Sequence, residues 1–103
     1  MLDLDHPQSR RVLEAARIED LIRRQLVAWR EDDAASSAAR AAILGTLLPQ
    51  LEALNAKHFG ASKNIYRTLE ALGRAVQGAD AEKAWQAFTA LDGPGENFGT
   101  WAI

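Results

Sequence analysis

His6 and His58 stand far apart in the chain, and neither has a second histidine three or four positions away. Asp3, Asp5 and His6 offer a weak chelating trio at the N-terminus, but their spacing meets no established ligand pattern. They read as a solvated tail. No Glu-x-x-His occurs, which excludes the carboxylate-bridged diiron chemistry that helical bundles often carry. The chain has no cysteine, so disulfide scaffolds, thiolate zinc sites, iron–sulfur clusters and thiol nucleophiles fall away together. Neither a Ser/His/Asp arrangement nor a phosphate-cradling glycine loop is present. The expectation is a protein without cofactor or metal and without enzymatic activity.

Two polar clusters remain. Lys57, His58, Ser62 and Lys63 surround Phe59, Gly60 and Ala61, and Ser62 stands where a helix would begin. Free N–H groups and the helix dipole favour anions at such a point, so a phosphate or carboxylate could sit there. The simpler reading is a capped turn: Gly60 ends one helix, Ser62 caps the next, and the lysines are solvated. The second cluster is the row Arg10, Arg17 and Arg24, which could meet nucleic-acid phosphates. Acids at Glu14, Glu19, Asp20 and Glu31 lie within helical reach and cancel most of that field. A net charge of −2 with a pI near 5.6 also argues against binding nucleic acid through bulk charge.

The elements that must position these residues are helical throughout. The chain has 103 residues, enough for one domain. Its apolar fraction of 48% is sufficient for a core, yet twenty of those residues are alanines, so the core must be thin. Asp5 and Pro7 suit a helix start. Val12, Ala15, Glu19, Ile22, Leu26 and Trp29 keep one stripe, widened by Ile18 and Leu21, to about Glu31. Acids disfavour a helix C-terminus and favour an N-terminus, so the break falls just before Asp32 or Asp33. Leu44, Leu47, Leu51 and Leu54 hold a single phase across Pro49, which predicts one kinked helix from Ala34 or Ser36 to about His58, with Gly45 leaving room for the proline ring. Ile65, Leu69, Leu72 and Val76 define a third helix ended by Gly78. Asp80 caps a fourth that carries Ala81, Ala84, Trp85, Phe88 and Leu91, and Gly93-Pro94-Gly95 stops it. The pattern predicts an all-α, antiparallel up-and-down four-helix bundle over 1–93, followed by an irregular apolar tail over 94–103.

Unequal lengths lead to a functional expectation. The first two helices would measure about 36 Å, the last two roughly 24 and 18 Å at ~1.5 Å per residue. If the short pair covers residues 10–18 and 47–59, the far end stays bare. Leu26, Trp29, Ala35, Ala38 and Ala42 would then face a partner, with Phe98, Trp101 and Ile103 of the tail as further anchors. The first reading of function is therefore a small protein-interaction module (regulator, chaperone, inhibitor or accessory subunit) that meets another protein or forms a homodimer. A nucleic-acid-associated subunit and an anion binder are the alternatives. The start of the chain lacks a secretory h-region, and the longest uncharged run, Ala41 to Leu51, is too short for a membrane span of about 18 residues. A reducing compartment, the cytoplasm, is expected, and nine arginines against three lysines suggest a GC-rich bacterial source.

Overall fold

The computed structural model describes residues 7–58 and 63–91, with side chains described over 13–56 and 65–90. Helix α1 spans Pro7–Glu31. A 3-10 turn at Asp33–Ala35 leads into α2, Ser36–Ala42. A π-helical turn, Ile43–Leu47, joins α2 to α3, Leu48–His58. Helices α4, Lys63–Gln77, and α5, Ala81–Leu91, complete the described chain. Helical geometry continues unbroken from 36 to 58, so α2, the π turn and α3 act as one rod, and the fold is the expected four-rod all-α arrangement with no strand among the described residues. The first rod packs on the second and on α5, while α4 packs on the second rod and on α5. Each rod thus has two principal neighbours around a shared core.

The breaks follow from local chemistry. Asp32 is extended (φ −147°, ψ 111°), and its Oδ1 accepts the Ala34 N–H at 3.0 Å, capping the 3-10 turn where the acidic run predicted a new start. Pro49 has no N–H, and its ring would strike the carbonyl four residues back in a regular helix. The π turn lies immediately upstream, and there the Leu48 N–H reaches back to the Ile43 carbonyl, five residues away. The kink expected at Pro49 is realised as this wider turn, which keeps Leu47 and Leu51 on the core side. Gly45 has a different role from the one its position suggested. A Cβ there would meet nothing within 4 Å, so the room for the ring does not come from its missing side chain.

The α4–α5 corner closes where the sequence pattern ends the third helix. Gly78 follows the last helical residue as expected, but the left-handed residue is Ala79, with φ 55°. The Asp80 N–H reaches the Ala75 carbonyl at 3.0 Å and the Ala79 N–H reaches that of Val76 at 3.1 Å, the paired bonds of a Schellman closure. This pairing fixes the left-handed position one residue after Gly78. Asp80 then caps α5 as predicted: its Oδ1 accepts the Lys83 N–H at 3.0 Å, and its carbonyl accepts the Ala84 N–H.

The core contains Ala15, Ile18, Ile22, Leu26 and Trp29 from α1, Ala39, Ile43, Leu47, Leu48 and Leu51 from the second rod, and Ile65, Leu69, Leu72, Val76, Ala84 and Phe88 from the short pair. The expectation of a bare far end is not met. Leu26 is fully buried and Trp29 is 2% exposed. Contacts between Arg23 and Phe88 and between Arg30 and Glu82 place α5 beside the C-terminal half of α1, not beside residues 10–18. The reason is the antiparallel register. Gly73 of α4 meets Leu48, and α4 reaches back along the second rod to about Leu44. That level is only a few turns from the connection to α1, so α5 starts next to Trp29.

Candidate functional site

Where α5 meets α1, charge and aromatic rings combine to close the seam. The Arg30 guanidinium sits 4.6 Å from the Trp85 ring centroid and pairs with Glu82 at 3.4 Å. Arg23 lies 5.2 Å from the centroid of Phe88, whose ring is 5.9 Å from that of Trp85. Cations over aromatic faces are attracted by the ring quadrupole. Arg23 and Arg30 therefore hold the helices together, and neither stands out as a free arm. Asp20 engages both Arg23, at 3.5 Å, and Arg24, at 3.0 Å. Of the predicted phosphate-facing row, Arg24 is thus neutralised along its own helix, Arg17 is exposed, and the Arg10 side chain lies outside the described residues.

Among the described residues, surface clefts open between the rods. One, at the connection end, runs from Trp29 and Arg30 to Ala81 and Glu82, with Glu31 and Asp33 on its rim. A second lies between the second rod and α4, floored by Leu44, Leu48, Leu69 and Gly73 and edged by Glu52, Glu70 and Arg74. The third follows the α4–α5 seam over Ala71, Ala75 and Ala87, with Arg74, Asp80 and Lys83 at its edge. Arg74 is paired with Glu70. No group of three or more His, Asp or Glu side chains able to hold a metal occurs among the described residues. Among the described residues, two polar side chains enter the interior, Glu19 at 8% and Asn55 at 4% exposure. Glu19 was legible as part of the inner stripe by its phase. Asn55 was missed, and its position four residues after Leu51 was the available signal.

The proposed partner residues divide. Leu26 and Trp29 belong to the core. Ala35 and Ala42 are half-buried and Ala38 is exposed, all on the second rod. Beyond them the same outer face continues through Ala41, Gly45, Pro49 and Ala53, all exposed. Charge is absent from 41 to 51. The outer face of α1 differs, with Arg17, Arg24 and Glu31 exposed. The side chains of Lys57, His58, Ser62 and Lys63, the tail residues Phe98, Trp101 and Ile103, and the boundary at 93–94 lie outside the described residues. No described helix is long and apolar enough to cross a membrane. Comparison of the chain with protein families, curated proteins and solved structures gave no match.

Proposed function

We propose that this protein is a small, non-enzymatic interaction module of the cytoplasm, a regulator, chaperone, inhibitor or accessory subunit, and that its contact surface is the outer face of the second rod. One observation carries the reading: Ala38, Ala41, Gly45, Pro49 and Ala53 form an exposed, uncharged, small-residue face on a helix of a small bundle. Exposed faces of such helices ordinarily carry charge. Small side chains permit a short interaxial distance, so another helix can pack closely. A second copy of the chain, meeting the same face across a two-fold axis, is the first occupant to test, because a self-complementary patch needs no further partner.

Sedimentation equilibrium over a wide concentration range measures this directly. The parent chain is expected to self-associate, and Ala41→Arg, placed on the exposed face where it disturbs no core contact, is expected to shift it to monomer with unchanged helicity. A parent that stays monomeric at every concentration removes the homodimer. Equal association of parent and Ala41→Arg removes the face.

A further inference from the structure

We propose that residues 96–103 of this chain fold back into the α4–α5 seam and use it as their own docking groove. The groove is about 470 Å³ and is lined by Ala71, Ala75 and Ala87, whose small side chains leave room for a large flat one. The segment beyond α5 supplies such side chains in Phe98 and Trp101, each able to bury about 150–250 Å². Where the helix ends makes the return short. Ala87 lies one turn before Leu91, so the groove begins about 6 Å back along α5 and reaches Asp80 at about 16 Å. Gly93-Pro94-Gly95 supplies the residue types of a sharp reversal. The eight residues after it span at most about 26 Å when extended, enough to follow the whole seam.

Charge selects this groove over the other two. Residues 92–103 carry Asp92 and Glu96 and no base. The connection-end cleft holds three acids, Glu31, Asp33 and Glu82, against Arg30, and the cleft over Leu48 holds Glu52 and Glu70 against Arg74. The α4–α5 groove reverses this balance, with Arg74 and Lys83 against one acid, Asp80, which is already engaged in capping α5. The connection-end cleft also sits at the start of α5, the end farthest from Leu91. This docking leaves the outer face of the second rod untouched and does not depend on what meets that face.

The chain has no cysteine, so Thr100→Cys provides a single site for a nitroxide spin label in the otherwise intact protein. The expected result is loss of the amide signals of Ala71, Ala75 and Ala87 on labelling, their return on reduction of the nitroxide, and no change at Ala41, Gly45 or Ala53. Loss centred on any other part of the bundle, or no localised loss at all, overturns the proposal. An equal mixture of labelled chain and isotope-enriched unlabelled chain separates the remaining case. Loss at the same amides in that mixture assigns the segment to the groove of a second copy and overturns docking within one chain. Because the readout is the position of the segment, it stands or falls separately from the mass measurement above.

Discussion

Ala79 offers a test in which two adjacent substitutions should change stability in directions that the sequence alone would not suggest. Its φ of 55° puts an L-residue in the left-handed region, a conformation that costs about 1–2 kcal/mol. Ala79→Gly relieves that strain and returns about 0.4–1 kcal/mol as added freedom of the unfolded chain, for a net gain near 1 kcal/mol. In a domain of this size that corresponds to a rise in Tm of about 4 °C or somewhat more. Gly78 behaves differently. A Cβ there would sit 3.4 Å from the Arg74 carbonyl oxygen and 3.8 Å from that of Ala75, ordinary contact distances at most mildly tight. Gly78→Ala should therefore be neutral or stabilise by up to about 0.5–1 kcal/mol, the usual penalty of glycine in helical backbone. Thermal unfolding followed by far-UV circular dichroism measures both variants. If Ala79→Gly lowers Tm while Gly78→Ala lowers it by several degrees, the left-handed residue is Gly78 and the Schellman register described here is wrong by one position.

Trp29→Ala removes a core side chain that is 2% exposed and should lower the unfolding free energy in urea by about 3–5 kcal/mol; a loss below about 1 kcal/mol would place the indole at the surface. Gly73→Val crowds the Leu48 Cδ2 atom, which lies 3.1 Å from a Cβ built on Gly73, and should destabilise by about 1–3 kcal/mol. Combined with Leu48→Ala, the loss should fall short of the sum by at least about 0.5 kcal/mol, and strict additivity in a double-mutant cycle would separate the two helices at that level. Pro49→Ala restores a backbone donor at an exposed position. Because the π turn already absorbs part of the roughly 3 kcal/mol penalty of an interior proline, a gain near 1 kcal/mol in chemical denaturation is expected from the remainder. A loss on Pro49→Ala would mean that the second rod depends on the wider turn for its packing.

The sequence by itself determined the four rods, their phase and most of their ends. Inner positions repeat at 3–4 residues through Ile22, Leu26, Ile65, Leu69, Leu72 and Val76, and that period depends only on helix geometry. Asp80 was legible as a cap because a short acceptor side chain satisfies nearby N–H groups whatever else surrounds it, and the break at Asp32 was legible because acids disfavour a helix C-terminus. Tertiary structure alone decided what each rod faces. Counting residues gave the lengths of α4 and α5 but not the level at which they pass α1, because register is set by contacts between distant segments, such as Gly73 with Leu48 and Arg30 with Glu82 and Trp85. Because α5 lies beside Arg23 and Arg30 and not beside residues 10–18, Trp29 passes from an expected docking surface into the core, and the alanines of the second rod stay as the accessible part of that surface. The same holds at Ala79, where the hydrogen bonds of the closing turn, and not the nearest glycine, fix which residue turns left-handed.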